Sequence, residues 1–156
     1  TIVTYDPNIR PALRPLHTAR AIVRYTIPLC DIVLPNLDEG RLLTGYEEPR
    51  AITQELLDLG VGMVVLKMGG SGAVVATPDE YIPIPTREVM AKDPTGAGDT
   101  FDAGFAVATV EGRSPADAAR FGAAAASRVV QGLGAVSPIP RRREADEVFA
   151  ELAAAV

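Results

Sequence analysis

The sequence contains few of the residues on which several classes of protein depend. Cysteine occurs once, as Cys30, so an internal disulfide and a zinc site built on paired cysteines are excluded. Tryptophan is absent, and the one histidine, His17, lies in a helix-like segment where we expect a surface position. We expect Cys30 to be an unreactive core thiol in a reducing, cytoplasmic compartment.

Long apolar runs and positive charge are scarce as well. The longest stretch without a charged residue, 129–140, is broken by glycine and proline and is shorter than the ~20 residues of a membrane-spanning helix. The 15 Lys and Arg residues are outnumbered by 20 Asp and Glu, which gives a net charge of −5. Because nucleic-acid binding needs a basic face, we expect neither a nucleic-acid partner nor a membrane partner.

The length and composition are typical of one globular domain. The 156 residues are 47% hydrophobic and 22% charged, and 14 Gly with 13 Pro are too few for a low-complexity chain. The sequence begins with Thr1 rather than Met, and the strand-like pair Ile2 and Val3 follows at once. We therefore expect the chain to be an internal segment of a longer protein.

The hydrophobic pattern alternates between strands and helices in the first half, then predicts a hairpin and ends in helices. The run 63–66 is apolar at consecutive positions, which is typical of a strand covered on both faces. This order predicts an α/β fold with a mostly parallel sheet. The predicted strands are 1–5, 31–34, 63–66, 73–76 and 81–85, and the predicted helices are 17–24, 37–44, 52–59, 99–111, 115–131 and one around 148–152.

The segment 93–101 carries the strongest chemical motif. Gly96 and Gly98 flank Ala97 just before a helix, so unhindered amides and the helix dipole favour an anion there. That helix is apolar nearly all round, which predicts that it is buried. Asp99 stands at the same helix start, where a carboxylate suits phosphoryl transfer by accepting the proton of an attacking hydroxyl. A glycine turn with an aspartate cap has the same pattern, so these residues alone leave both interpretations open.

Four segments, in the right order, resemble the PfkB/ribokinase family of carbohydrate kinases. Residues 93–105 resemble the second signature of the family, and 6–10 its Asp-x-Asn-x-Arg turn. Residues 34–39 carry its Asn-x-x-Glu motif, and 65–73 resemble its nucleotide-binding strand and turn. The resemblance implies a ribokinase-like three-layer α/β/α fold, mostly parallel with one antiparallel hairpin strand. Residues 1–156 would be its C-terminal nucleotide-binding and catalytic part, without the N-terminal strands and lid.

The resemblance implies an ATP-dependent kinase that transfers the γ-phosphoryl group to a hydroxyl of a sugar or sugar acid, with 2-keto-3-deoxygluconate or fructose favoured. Asp99 would be the catalytic base, and Gly96, Ala97 and Gly98 would form the anion hole. Arg10 would bind the substrate, since a guanidinium can hold a carboxylate with two hydrogen bonds. A surface salt bridge to a neighbouring acid would explain Arg10 equally well.

Metal and nucleotide roles follow from the same resemblance. Asn36 and Glu39 would organise Mg²⁺, chiefly through water, although the same spacing is that of a helix capping box. Lys67, Gly69 and Gly72 would bind the nucleotide. The alternative is a plain hairpin turn in which Lys67 is an exposed strand residue.

A second glycine-containing loop follows the alanine-rich helix. Gly132 and Gly134 would close over adenine in the resembled family. Ser137 would join Asp93 and Thr95 in holding a monovalent cation such as K⁺. A glycine-rich helix exit gives the same pattern.

The expected partner is a small sugar or sugar acid, and the complete protein is expected to form a homodimer. The alternative from another class is a non-catalytic, nucleotide-binding half-domain that needs a partner chain or a missing N-terminal half. The P-loop and dinucleotide-binding glycine motifs are absent from the sequence.

Overall fold

The computed structural model describes residues 1–154, which contain five strands, six α-helices and two short 3-10 helices, Ile27–Leu29 and Gly69–Ser71. The strands are β1 (Thr4–Tyr5), β2 (Ile32–Val33), β3 (Met63–Lys67), β4 (Ala73–Ala76) and β5 (Tyr81–Ile84). The helices are α1 (Leu16–Thr26), α2 (Leu37–Thr44), α3 (Pro49–Leu57), α4 (Ala97–Val110), α5 (Pro115–Val129) and α6 (Arg142–Ala154). Their order matches the sequence prediction element by element.

The five strands form one mixed sheet in the order β1-β2-β3-β4-β5. β1 runs parallel to β2 with Thr4 opposite Ile32, and β2 runs parallel to β3 with Ile32 opposite Met63. The predicted α/β class is therefore confirmed. Because β1, β2 and β3 are parallel, the residues that follow them lie at the same edge of the sheet.

β1 is shorter than the predicted strand over 1–5. The backbone amide of Val3 donates to Oδ2 of Asp31 at 2.7 Å. Regular pairing therefore begins one residue later, at Thr4, although the carbonyl oxygen of Val3 still accepts from the amides of Asp31 and Ile32.

The described residues form two compact units. The first unit comprises Thr1–Met68 and Val74–Ile82. Its core includes a cluster of buried aliphatic side chains from the strands and from α1, α2 and α3, among them Val23, Val33, Ile52, Leu56 and Val64. The second unit comprises Gly69–Ala73 and the chain from Pro83 onward, with α4, α5 and α6.

Local signals set the ends of the helices. Asn36 and Glu39 form a reciprocal capping box at the start of α2, and the amide of Gly45 donates to the carbonyl oxygen of Arg41 at its end. α5 begins after Ser114, whose hydroxyl accepts from the amide of Asp117 at 3.2 Å.

α4 is buried on one side only, so the prediction that it is buried nearly all round is wrong. Phe105 and Ala108 are fully buried, and α4 packs against α5. Val107 and Val110, on the other side, are 46% and 84% exposed.

Two further expectations concern single residues. His17 is exposed on α1, as predicted. Cys30 is half-buried rather than in the core, with its thiol donating to the carbonyl oxygen of Thr26 at 3.3 Å. Burial raises the pKa of the Cys30 thiol. None of the helices within residues 1–154 has the length and apolar character needed to cross a membrane.

Candidate functional site

A first polar cluster lies in the first unit, where β1, β2 and β3 end. Lys67 is the last residue of β3, and its amide donates to the carbonyl oxygen of Pro35 at 2.9 Å. Its side chain is only 10% exposed, and Nζ lies 3.1 Å from Oδ2 of Asp6, directly after β1. A lysine buried to this extent needs a counter-charge. The alternative that Lys67 is an exposed strand residue is therefore wrong.

Glu39 connects two segments of this cluster and is only 4% exposed. Its Oε1 accepts from the amide of Ile9 at 2.9 Å, and its Oε2 accepts from the amide of Asn36 at 3.0 Å. Oδ1 of Asn36 accepts in turn from the amide of Glu39 at 2.9 Å. Burial raises the pKa of the Glu39 carboxyl, and the two donated amide hydrogen bonds partly offset that rise. The capping box is present, and Glu39 also ties the 6–10 turn to α2.

The 6–10 turn is shaped by its own side chains. Oδ1 of Asp6 accepts from the amide of Asn8 at 3.1 Å, and Asn8 has a φ of 45°, in the left-handed region that asparagine tolerates. Arg10 follows with a side chain that is 60% exposed. Its Nη1 donates to the carbonyl oxygen of Ile9 and lies 3.8 Å from Oε1 of Glu39. More than half of the Arg10 side chain is therefore exposed.

The glycine turn before α4 lies in the second unit. Gly96 is the N-cap, with a φ of 80° that suits glycine. The amide of Ala97 donates to the carbonyl oxygen of Pro94 at 3.1 Å, so it is engaged within the turn. The amides of Gly98 and Asp99 belong to the first helical turn, where a helix provides no acceptor. Both residues are exposed.

Asp93 joins this turn to the loop that follows α5. Its Oδ1 accepts from the amide of Thr95 at 2.9 Å, and its Oδ2 accepts from the amide of Gly134 at 2.8 Å. Hydrogen bonds from the Thr95 side chain and then from these amides lower the pKa of the Asp93 carboxyl. A β-carbon on Gly96 would lie 3.0 Å from the backbone of Ala135, so the turn and the loop pack closely.

The predicted nucleotide turn also belongs largely to the second unit. Residues Gly69–Ser71 form a short 3-10 turn, and the amide of Gly72 donates to the carbonyl oxygen of Gly69 at 3.0 Å. Gly72 has a φ of 86°.

The predicted site residues thus form two groups, one in each unit. Arg10, Asn36, Glu39 and Lys67 come together in the first unit. The second contains Gly69, Gly72, Asp93, Thr95, Gly96, Ala97, Gly98, Asp99, Gly132, Gly134 and Ser137, of which Ser137 is exposed in the loop after α5. Sequence reasoning missed the pairing of Asp6 with Lys67, for which the chain carries no local signal. Over residues 1–154, no group of three or more His, Cys, Asp or Glu side chains is placed to hold a metal ion.

Comparison with known proteins identifies the class to which this fold and these motifs belong. The model of the pfkB family of carbohydrate kinases matches residues 1–142, and the chain belongs to that family. A ribokinase from Arabidopsis thaliana is 41% identical over 122 residues, which cover 72% of this chain and 32% of the relative. A 2-dehydro-3-deoxygluconokinase from Thermoproteus tenax is 33% identical over 151 residues, which cover 96% of this chain and 46% of the relative.

Solved structures agree with this assignment. A ribokinase-like protein from E. coli, solved with ATP and Mg²⁺, superposes with a TM-score of 0.86 at 27% identity, covering 96% of this chain and 48% of that chain. A fructokinase from Vibrio cholerae, solved with fructose, ADP and calcium, superposes with a TM-score of 0.88 at 25% identity, covering 95% and 50%. The chain therefore has the ribokinase-like fold and spans about half the length, or less, of these four relatives.

Proposed function

We propose that this chain is the nucleotide-binding and catalytic part of an ATP-dependent sugar kinase. The proposed reaction transfers the γ-phosphoryl group of ATP to a hydroxyl of a sugar or sugar acid. The observation that carries the proposal is the position of Asp99 in the amide-lined first turn of α4, inside the segment that matches the kinase family. Because the chain spans about half of its relatives, the activity of the whole protein is part of the proposal.

Asp99 is proposed as the base that accepts the proton of the attacking hydroxyl. The amides of Gly98 and Asp99, with the positive end of α4 behind them, would stabilise negative charge on the transferring group. Gly96 allows this turn, and Ala97 fixes it by donating to Pro94. We therefore propose the anion hole within the predicted segment, with the amides of Gly98 and Asp99 as its donors, because the Ala97 amide is bonded to Pro94.

ATP would supply the phosphoryl group, and Mg²⁺ would neutralise charge on its phosphates. Asn36 and Glu39 fit a water-mediated contact with that ion. Each carboxylate oxygen of Glu39 accepts one amide and keeps a second lone pair, while burial limits direct access. Lys67, with Gly69, Gly72, Gly132 and Gly134, is proposed to contact the nucleotide.

Asp93, Thr95 and Ser137 are proposed to hold a monovalent cation such as K⁺. The lowered pKa of Asp93 keeps its carboxylate charged, as a cation ligand requires. The complete protein is proposed to be a homodimer, which size-exclusion chromatography with light scattering would test.

Arg10 is proposed to contact the substrate, because more than half of its side chain is exposed beside the ordered 6–10 turn. An exposed guanidinium suits the carboxylate of a sugar acid, which favours 2-keto-3-deoxygluconate. Fructose is the second candidate. The names of relatives of this chain include kinases for both compounds.

ADP release by the purified chain tests the proposal. The assay contains ATP, Mg²⁺ and one of 2-keto-3-deoxygluconate, fructose, ribose or adenosine. We expect release with one sugar and a loss of about 10²-fold or more in Asp99→Asn, the usual contribution of a catalytic base. Asp38→Asn, at a side chain that is 89% exposed, is the matched control and should stay within about twofold of wild type. Activity of Asp99→Asn within a few-fold of wild type would show that Asp99 is not the base.

The second candidate is a nucleotide-binding half-domain that does not turn over alone. The half-length match to the relatives favours it. Binding of MgATP by calorimetry without ADP release from any sugar would support this candidate over the kinase.

A further inference from the structure

Asp6 has no role in the proposed site, although its carboxylate contacts Lys67, one of the proposed nucleotide residues. Its two carboxylate oxygens have separate partners. Oδ1 accepts from the amide of Asn8, and Oδ2 lies 3.1 Å from Nζ of Lys67, a residue 61 positions further along the chain. Asp6 thus contacts the 6–10 turn through one carboxylate oxygen and the last residue of β3 through the other.

The backbone of Lys67 is fixed independently of Asp6. The amide of Lys67 bonds to Pro35, and Lys67 pairs with Asn36 in a parallel bridge. These backbone contacts do not fix its side chain, because a lysine has four flexible carbon–carbon bonds and one compact charge at the end. The Asp6 carboxylate gives that charge a defined position, at the sheet edge where the capping box of α2 begins.

The surrounding charges agree with a compact cluster. Burial is the main cause of the raised pKa of Glu39; the charge of Asp6 adds to that rise and the charge of Lys67 opposes it, so all three side chains lie within electrostatic range of one another. Arg10 adds a second cation 3.8 Å from Glu39. Two carboxylates and two cations therefore surround the end of the 6–10 turn.

We infer that Asp6 is a positioning residue that holds the Lys67 ammonium at the carboxyl edge of the sheet for contact with the phosphates of the nucleotide. The inference rests on the proposed function, since it takes Lys67 to be a nucleotide contact. It assigns to Asp6 an effect on nucleotide affinity that is exerted through Lys67.

Calorimetric titration of the chain with MgATP tests this inference. Asp6→Asn keeps an oxygen that can accept from the amide of Asn8 but removes the negative charge that faces the Lys67 ammonium. We therefore expect the affinity for MgATP to be about tenfold weaker. Asp6→Glu restores the charge and should recover most of the loss. Asp31→Asn is the matched control: this exposed aspartate also accepts a backbone amide, that of Val3, and the change should leave affinity within about twofold.

Lys67→Met and the double variant Asp6→Asn/Lys67→Met complete the cycle. We expect the double variant to bind MgATP like Lys67→Met alone, because Asp6 acts through a side chain that is no longer there. Asp6→Asn alone leaves a buried lysine without its carboxylate partner, and circular dichroism shows whether that variant still folds. If it folds poorly, the comparison of Lys67→Met with the double variant still tests whether Asp6 acts through Lys67, because neither of these two variants contains Lys67.

Three results overturn the inference. Affinity of Asp6→Asn equal to that of Asp31→Asn shows that Asp6 does not position Lys67. An equal loss on the wild-type and Lys67→Met backgrounds shows that Asp6 acts by another route. Absence of MgATP binding to the wild-type chain defeats the proposed function itself, and this is recognised before any variant is compared.

Discussion

The carbonyl oxygen of Ile84 lies 2.1 Å from the position that a β-carbon on Gly72 would occupy. Gly72 also has a φ of 86°, which residues other than glycine rarely adopt. The turn between β3 and β4 therefore depends on the missing side chain for two independent reasons: the backbone conformation and the close approach of the end of β5.

Gly72→Ala is expected to lower the free energy of unfolding by about 3 kcal/mol, because backbone rather than a flexible side chain blocks the new methyl group. Gly70→Ala is the matched control in the same turn. Gly70 has no atom within 4 Å of its would-be β-carbon and no positive φ. Urea unfolding of both variants measures the difference, and equal stabilities would contradict the close approach of Ile84.

Glu39 should make stability depend on pH in the direction opposite to an ordinary paired carboxylate. Burial raises its pKa in the folded state, so folding favours the protonated form. Its contribution is complete below the ordinary glutamate pKa and is lost as pH rises through the raised value. The stability of wild type minus that of Glu39→Gln should therefore fall with rising pH.

Glu144→Gln provides a control of opposite sign. The amide of Arg141 and then the guanidinium of Arg128 lower the pKa of Glu144. Its contribution is present above the ordinary glutamate pKa and is lost as pH falls through the lowered value. Chemical unfolding at a series of pH values, from roughly 4 to 8, gives both difference curves. Parallel slopes for the two variants would refute the assignment of Glu39.

Arg113 should stabilise the packing of α5 and α6 through its flat guanidinium. Its central carbon lies 4.6 Å from the ring centre of Phe121 and 4.5 Å from that of Phe149, and Nη2 lies 3.5 Å from Oδ1 of Asp146. Arg113→Lys keeps the charge but loses the planar stacking, so we expect a loss of about 1–2 kcal/mol.

Arg143→Lys is the control for that change, since the Arg143 side chain is 90% exposed and pairs only with Glu147 among the ion pairs of residues 1–154. It should change stability by less than about 0.5 kcal/mol. Thermal unfolding of the two variants measures the comparison. Equal midpoints would show that stacking on Phe121 and Phe149 contributes nothing.

Elements with local signals were predictable from the sequence. α2 runs over Leu37–Thr44, as the capping pattern and Gly45 indicated, and β4 has the predicted bounds. The first strand was predicted too long, because the amide of Val3 donates to the side chain of Asp31, 28 residues away, and regular pairing begins only at Thr4. Burial of α4 was overpredicted because its composition does not show how many neighbours pack against it.

In the candidate site, too, features formed by consecutive residues were predictable and contacts between distant segments were not. The motif around Asp99 was visible because its residues are consecutive, and the structure places them in one helical turn. The pairing of Lys67 with Asp6 and the bond from the Ile9 amide to Glu39 join segments 61 and 30 residues apart, and only the parallel order of the strands brings them together. For Arg10 the sequence left open a salt bridge to a neighbouring acid as the alternative to substrate binding, and Nη1 of Arg10 lies 3.8 Å from Oε1 of Glu39.

The hydrogen bond from the Gly134 amide to Asp93 makes one backbone proton a reporter on two distant stretches of sequence. That proton exchanges with solvent only when the loop after α5 leaves the turn before α4. Its exchange rate therefore measures how often these two segments separate. A ligand that bridges them would slow the exchange, and no label would need to be attached to the chain.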